Sequence, residues 1–243
     1  MILYIDCESP DLYLKDPELA GKVAAKHLRA KYRIENISGK PCLIVRFDRL
    51  SADLVATLKP DAVICSGYYT DLDEYSEESL KGLAWLLREV PVPTLTICGS
   101  FQLMGQIWGS RIGPMGPIPV DTKAKAKAEA DADVSPGMAK MLCNKHEIGY
   151  LKVSVEENSD LFCGLPNSIK VRQNHYWEVK DIPNEFVLIG QSEVCPIQGL
   201  VHKRLPLCGV QFHAEEYNDE FPDGKRVLEN FLNSAIQNAK DQG

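Results

Sequence analysis

The first hundred residues alternate between short apolar runs and longer amphipathic stretches. The runs predict four strands, at Met1–Cys7, Cys42–Phe47, Ala62–Cys65 and Thr94–Ile97. Two helices are predicted between them. The first has Asp16 as its cap, Pro17 in its first turn and apolar Leu19, Val23 and Leu28, and the second has Ser76 as its cap and apolar Leu80, Leu83, Leu86 and Leu87. With a further helix from Phe101 to Trp108, the predicted order is β-α-β-β-α-β-α.

Shorter alternating runs continue beyond Tyr150. They predict strands at Leu151–Val155, Ile169–Val171, Phe186–Gly190 and Cys208–Phe212, followed by a last helix carrying Val227, Leu228, Phe231, Leu232 and Ile236. This alternation predicts an α/β fold, with a mixed but mostly parallel sheet flanked by helices and functional residues at the carboxyl ends of strands. We expect one domain over residues 1–243, with an exposed insertion near 113–140, where Gly and Pro precede an Ala-rich charged run.

Composition narrows the class of protein. The chain has 243 residues, of which 44% are hydrophobic, and a net charge of −7, which suits a compact cytoplasmic enzyme. We expect no nucleic-acid partner, because no Lys/Arg cluster with interleaved aromatic residues occurs in the sequence. We also expect no membrane segment, because no apolar run approaches the ~20 residues that cross a bilayer.

The eight cysteines are scattered along the chain, and no Cys-x-x-Cys pair occurs. Reduced thiols are therefore the simplest expectation, and we predict neither a metal site nor a cofactor. The fragment Cys143-Asn144-Lys145-His146 lacks the second half that a zinc site needs.

One cysteine lies at a predicted strand-to-helix junction. Cys98 follows the apolar run Thr94–Ile97 and precedes the helix-compatible residues from Phe101 onward. Such a turn exposes the thiol above the sheet, and the helix N-terminus stabilises a thiolate. The neighbours Thr96, Gly99 and Ser100 are small, as a sharp turn requires. A cysteine chosen at random is more often a small core residue, so a partner is needed to support this interpretation.

That partner is the segment Leu207–Glu215, which ends in His213-Ala214-Glu215. A thiol, an imidazole base and a carboxylate that orients the base make up the set that nucleophilic catalysis needs. Glu216 adjoins Glu215, but neighbouring residues on an extended segment point in opposite directions, so only one of the two can face His213. We expect Glu215 to be that residue and Glu216 to lie in a solvated acidic surface with Asp219 and Glu220.

These segments resemble the signatures of the class I, triad-type glutamine amidotransferases. That family carries Gly-Ile-Cys-Leu-Gly-His-Gln and Gly-Val-Gln-Phe-His-Pro-Glu, where residues 96–102 read Thr-Ile-Cys-Gly-Ser-Phe-Gln and residues 209–215 read Gly-Val-Gln-Phe-His-Ala-Glu. Residues 60–67 resemble the strand and glycine loop of the family's oxyanion site. Residues 161–166 and 171–175 are most like the amidotransferase domain of GMP synthetase. The resemblance implies a flavodoxin-like fold with a nucleophile elbow.

The resemblance also implies roles for individual residues. Cys98 would attack the side-chain amide of glutamine to give a γ-glutamyl thioester, His213 would shuttle the proton and Glu215 would hold the imidazole. Backbone N–H groups near Gly67 and Tyr68 and of Gly99 would face the oxyanion. Gln102, Asn174 and His175 would help to hold the amino-acid end of the substrate, and His175 need not be catalytic. A separate synthetase or acceptor subunit would receive the ammonia, because this chain has no P-loop and no remaining length for a synthetase domain.

Departures from the family pattern lie close to the expected nucleophile. The family's Gly-Gly pair is Gly67-Tyr68 here, Gly99 replaces a leucine, Thr96 and Ser100 replace glycines, and Ala214 replaces a proline. A side chain at position 68 could narrow the pocket and change substrate choice. Two alternatives therefore stay open: a stand-alone γ-glutamyl hydrolase or peptidase that uses the same triad, and a non-catalytic relative that uses the fold for binding.

Overall fold

The computed structural model describes residues 1–116 and 145–241. Its strands are β1 (Ile2–Asp6), β2 (Cys42–Arg46), β3 (Ala62–Cys65), β4 (Thr94–Ile97), β5 (Ile112–Pro114), β6 (Glu147–Val155), β7 (Ser168–His175), β8 (Trp177–Val179), β9 (Phe186–Gln191), β10 (Gly199–His202) and β11 (Leu207–Val210). Its α-helices are α1 (Pro10–Lys15), α2 (Pro17–Ser38), α3 (Ala52–Leu58), α4 (Glu77–Glu89), α5 (Gly99–Ile107) and α6 (Asp223–Asp241). None of the described helices is both long and apolar enough to cross a membrane.

The main sheet has nine strands in the order β2-β1-β3-β4-β11-β10-β9-β6-β7. The first five pair in parallel, whereas β11, β10, β9, β6 and β7 pair with one another in antiparallel fashion. β5 and β8 form a separate antiparallel pair. The predicted α/β class and mostly parallel central sheet are confirmed.

Helices cover both faces of the sheet. Successive residues of a buried strand point to opposite faces, so each strand presents apolar side chains on both sides. In β1, Ile2 and Tyr4 lie in the core cluster that includes residues of α2 and α6. Leu3 and Ile5 lie in the other cluster, which α3, α4 and α5 cover. The sheet therefore forms the middle layer, and its loops at the strand ends are left to line a cleft.

Local signals place the helix ends. Asp16 caps α2 by accepting from the Leu19 N–H at 3.0 Å, and Ser76 caps α4 by accepting from Ser79 at 3.1 Å, both as predicted. The predicted stripe on α2 is partly wrong, since Leu28 is 49% exposed. The face that packs against the sheet is formed instead by Ala20, Val23, His27, Ala30 and Ile34.

Several elements were not predicted. The helices α1 and α3 and the strands β5, β8 and β10 all have seven residues or fewer. Residues 112–114 form a strand paired with β8, so the expected loop does not begin at Gly113. The Ala-rich part of the expected insertion and Cys143 lie outside the described residues.

Candidate active site

Three adjacent parallel strands end at the same place. β3, β4 and β11 are neighbours in the sheet, and Gly67, Cys98 and His213 follow their carboxyl ends. Carboxyl ends of parallel strands lie side by side at one edge of a sheet. The topology therefore brings together segments that are far apart in the chain.

Cys98 occupies the turn between β4 and α5. Its backbone has φ 53° and ψ −108°, a left-handed region that L-residues rarely adopt and that costs about 1–3 kcal/mol. The turn is tied down on both sides, since the Cys98 N–H donates to Val210 O at 2.9 Å and Cys98 O accepts from the Gln102 N–H at 3.1 Å. This strained strand-to-helix turn is the predicted nucleophile elbow.

The two residues that replace glycine beside the elbow are accommodated. The Ser100 hydroxyl accepts from the Ile97 N–H and donates to Cys65 O, both at 2.9 Å, which ties the elbow to β3. Thr96 is fully buried, and its Oγ1 would lie only 2.1 Å from a Cβ atom on Gly209. The glycine on β11 therefore makes the room that Thr96 needs on β4.

His213 is hydrogen-bonded to Glu215 and lies beside Cys98. Its Nδ1 lies 2.7 Å from Glu215 Oε1, which leaves Nε2 as the ring nitrogen available to the Cys98 thiol. Burial disfavours the charged ring, but the negative charges of Glu215 and Cys98 outweigh burial, so the pKa of His213 lies well above its usual value. The arrangement favours the charged imidazolium form of His213.

Glu216 does not lie in a solvated surface as expected. Its carboxylate lies 3.1 Å from Lys26 Nζ and 3.5 Å from Arg172 Nε, and its side chain is only 21% exposed. Burial alone would raise its pKa, but His213, Lys26 and Arg172 lower the pKa of Glu216 to about 2. An oxygen of Glu216 lies within 4.8 Å of a His213 ring nitrogen, but the hydrogen bond to the ring comes from Glu215, so Glu215 is the carboxylate that orients the base.

A side chain at position 67 would crowd the base and the thiol. A Cβ atom there would lie 3.2 Å from His213 Cε1 and 3.3 Å from Cys98 Cβ, closer than ordinary contacts. The loop that follows is held by Glu8, a fully buried carboxylate that accepts from the Tyr69 N–H at 2.6 Å and from the Thr70 hydroxyl at 2.6 Å. Sequence reasoning missed Glu8, because a lone acidic residue after a strand carries no signal of what it contacts.

Two glutamines connect the elbow to the far wall. Gln211 Nε2 donates to Cys98 Sγ at 3.7 Å, within the longer range of sulfur acceptors. Gln102 Nε2 donates to Gln211 Oε1 at 3.2 Å and to Trp177 O at 2.8 Å. The amide nitrogen of Gln102 is therefore used within the protein, while its oxygen can accept from a ligand. Gln211 lies in the motif that was read from the sequence, but no role was predicted for it.

His175 and Asn174 lie at the end of β7 and line the cleft. Both ring nitrogens of His175 are occupied, since Nδ1 donates to Trp177 O at 2.9 Å and Nε2 lies 3.0 Å from Glu147 Oε2. Both ring nitrogens are therefore used within the protein, and the expectation that the Asn174-His175 stretch holds the substrate's amino-acid end stays a prediction.

The residues of the predicted site line one open cleft of about 1350 Å³; they are Gly67, Tyr68, Cys98, Gly99, Gln102, Asn174, His175, His213 and Glu215. Besides the predicted residues, its lining includes Tyr176, Trp177 and much of the face of α1 and α2. The Tyr176 hydroxyl donates to Asp71 at 3.2 Å, so the loop after β3 and the β7–β8 turn meet above the site. The cleft is larger than a free amino acid needs, and it extends from Cys98 to the helices.

The comparisons with known proteins agree with this geometry. The chain is 31% identical over 143 residues to a glutamine-hydrolyzing GMP synthase subunit of Pyrococcus abyssi, an alignment that spans 59% of this chain and 60% of that protein. It is 29% identical over 182 residues to the protein of the same name from Pyrococcus furiosus, covering 74% of this chain and 78% of the relative. Among solved structures, a Thermotoga maritima glutamine amidotransferase superposes with a TM-score of 0.61 at 16% identity, covering 98% of each chain. Residues 31–235 match the family described as "Glutamine amidotransferase class-I". The chain therefore belongs to the class-I glutamine amidotransferase family.

Proposed function

We propose that this chain hydrolyses the side-chain amide of glutamine through a thioester on Cys98 and supplies the ammonia to a separate synthetase chain. One observation carries the proposal: Cys98 lies at a strained elbow beside His213, whose Nδ1 is 2.7 Å from Glu215. Because the two relatives are named as glutamine-hydrolyzing GMP synthase subunits, a GMP synthetase chain is the first candidate acceptor.

The chemistry balances within this set of residues. The Cys98 thiolate attacks the γ-amide carbon, the C–S bond forms, and the C–N bond breaks as the His213 imidazolium gives its proton to the departing ammonia. Water then attacks the thioester, with His213 as the base, and glutamate leaves as the thiol is restored. Glu215 keeps the proton on Nδ1 and stabilises the imidazolium. The sum is glutamine plus water giving glutamate plus ammonia.

Backbone donors complete the proposed site. The N–H groups of Tyr68 and Gly99 border the elbow, and each donor to an oxyanion is worth about 2.7–4 kcal/mol in comparable sites. We propose that Gln102 Oε1 and Asn174 accept from the substrate's α-ammonium, because the Gln102 amide nitrogen already donates to Trp177 and Gln211. In this proposal His175 holds the β7–β8 turn through Trp177 and makes no substrate contact.

The direct test is release of glutamate and ammonia from glutamine by the wild type and by Cys98→Ala. We expect the wild type to release both in equal amounts, and Cys98→Ala to lose the activity while keeping its fold. Acid quenching during turnover should trap a glutamyl adduct on the Cys98 peptide, detectable by mass spectrometry. Activity that survives Cys98→Ala would contradict the proposal.

The size of the cleft supports a second candidate, a γ-glutamyl hydrolase acting on a larger amide. The cleft of about 1350 Å³ extends well beyond the space for glutamine. The same triad would serve this reaction. Cys98-dependent cleavage of γ-glutamyl peptides without any turnover of glutamine would favour the hydrolase, whereas stimulation of glutamine turnover by a synthetase chain would favour the amidotransferase.

A further inference from the structure

The ring of Tyr68 lies directly against Gly99. A Cβ atom on Gly99 would be 2.5 Å from both Cδ1 and Cε1 of Tyr68 and 2.9 Å from its Cγ. Non-bonded contacts this short are essentially never made by a real Cβ atom. Because Cγ is the ring atom nearest the backbone, a small rotation of the ring cannot relieve the contact. Tyr68 in its present position therefore excludes any side chain at position 99.

This contact unites two departures that look separate in the sequence. The resembling family carries glycine at the position of Tyr68 and leucine at the position of Gly99, whereas this chain has its large side chain at the first position and glycine at the second. The side chain beside the nucleophile therefore comes from the loop after β3 instead of from the first residue of α5. The two substitutions form one matched exchange.

The ring is held in a fixed position. Tyr68 packs on Tyr75 with ring centroids 5.3 Å apart, and the Tyr75 hydroxyl donates to Cys7 O at 3.0 Å. The backbone beyond Tyr68 is fixed by Glu8, which accepts from the Tyr69 N–H. Tyr68 lines the cleft together with Cys98 and Gln102. These contacts hold the Tyr68 ring in place at the side of the cleft, as a surface against which a ligand can pack.

We propose that Tyr68 is a specificity-determining residue, whose ring forms the apolar wall beside Cys98 against which the methylene groups of a γ-glutamyl substrate pack. This inference rests on the proposed function, because it assigns the substrate's side chain to that part of the cleft. The wall also shields the Gly99 N–H from water, which strengthens its interaction with an oxyanion.

A double-mutant cycle tests the exchange. Tyr68→Gly removes the wall and is expected to raise KM for glutamine about tenfold, the loss of roughly two methylene contacts. Gly99→Leu alone forces the overlap and is expected to lower kcat/KM about 100-fold. In Tyr68→Gly/Gly99→Leu the leucine can occupy the vacated place, so kcat/KM is expected to recover about tenfold relative to Gly99→Leu. A double variant no better than Gly99→Leu would overturn the inference.

Matched controls separate the wall from general damage to the protein. Tyr32→Ala removes a ring of α2 that is 61% exposed and is not among the residues that line the cleft, and it is expected to change KM less than about twofold. Thermal unfolding of all four variants shows whether each is folded at the assay temperature. A KM increase in Tyr32→Ala equal to that in Tyr68→Gly would contradict a specific role for Tyr68.

A second readout needs no glutamine. The Cys98 peptide is followed by mass spectrometry during alkylation with iodoacetamide, which is small, and with N-ethylmaleimide, which is bulkier. We expect Tyr68→Gly to raise the ratio of the N-ethylmaleimide rate to the iodoacetamide rate about fivefold, because access and not thiolate character changes. An unchanged ratio contradicts the wall. A wild type without glutaminase activity, together with the raised ratio, contradicts the proposed function alone.

Discussion

The part of the chain that the structure describes contains two histidine–glutamate pairs, each with a cysteine nearby, and the two pairs have opposite surroundings. His213 and Glu215 lie 2.7 Å apart in the cleft, beside Cys98. His175 and Glu147 lie 3.0 Å apart with side chains only 2% and 3% exposed, close enough to Cys195 that the three could share one ion. Residue types and distances alone would not separate a catalytic site from a structural one.

The difference is in the atoms that remain available. Glu147 accepts from the Ser192 hydroxyl at 2.7 Å and from Gln198 Nε2, and both ring nitrogens of His175 are occupied. Burial raises the pKa of the Cys195 thiol far above its usual value, so this cysteine stays neutral. In the other pair, one His213 nitrogen faces a thiol at a helix N-terminus. A pair whose hydrogen-bonding atoms are all occupied stabilises the structure, whereas a pair with one ring nitrogen facing a thiol can transfer a proton.

The two pairs are connected. From Glu147 the contacts run through His175 to Trp177 O, which also accepts from Gln102, and Gln102 donates to Gln211 beside Cys98. The buried pair therefore supports the wall of the cleft opposite the elbow. We interpret it as a rigid base for the proposed active site.

The largest expected contrast is between the two cysteines. Cys98→Ala removes the proposed nucleophile and is expected to lower kcat for glutamine hydrolysis by about 10⁴-fold or more. Cys195→Ala removes a small buried group and is expected to change kcat less than about twofold, with a loss of roughly 1 kcal/mol in the free energy of unfolding. Steady-state ammonia release and urea unfolding measure the two effects. Equal losses of kcat would abolish the distinction between the pairs.

The two glutamates should differ in which property they change. Glu215→Gln leaves the His213 tautomer unfixed and is expected to lower kcat about 10²-fold or more at little cost in stability. Glu147→Gln places an NH₂ group among the donors His175, Ser192 and Gln198. We expect the free energy of unfolding to fall by about 3 kcal/mol, while kcat falls less than about tenfold. The comparison fails if Glu147→Gln is the more damaging to kcat in a protein that is still folded.

Glu8 is a third buried carboxylate, and it extends the comparison to the loop that carries Tyr68. In Glu8→Gln, one oxygen is replaced by an NH₂ group that cannot accept from the Tyr69 or Thr70 N–H. We expect kcat/KM to fall about tenfold, mostly through KM. Glu78→Gln, at an exposed ion pair with Lys81, is the control and should leave kcat/KM unchanged. Identical kinetics for both variants would remove the positioning role of Glu8.

The smallest expected effect is on the pH dependence of stability. The folded-state pKa of His213 is raised above its unfolded value of about 6.5, so the folded state binds the extra proton, and this stabilisation is lost as pH rises through the folded pKa. As pH rises above about 7, the wild type should lose free energy of unfolding by up to about 1.4 kcal/mol per pH unit from this group, until pH passes the folded-state pKa. Glu215→Gln, which removes the main charge opposing burial, should show a shallower slope. If the free energy of unfolding has the same pH dependence in the wild type and in Glu215→Gln, the charged His213–Glu215 pair is contradicted.

Much of the fold was predictable because buried strands and capped helices leave local signals. The strands around Cys98 and the caps Asp16 and Ser76 were read correctly from apolar runs and cap residues. The helix α1 was missed because it has six residues and none of them is buried, so it has no hydrophobic periodicity. Strand β10 has only four residues. Elements that short are defined by their neighbours in the sheet.

The candidate site divides in the same way. The sequence by itself determined the residue types and spacings at Cys98, His213 and Glu215, because each depends on a local motif at the end of a strand. Only the tertiary structure decided that these three meet, that the His175 ring is occupied internally, and that Glu8 holds the loop after β3. It also decided that Tyr68 and Gly99 are one exchange. The physical reason is that a side chain's function depends on which of its atoms lack a partner, and distant segments of the chain supply those partners.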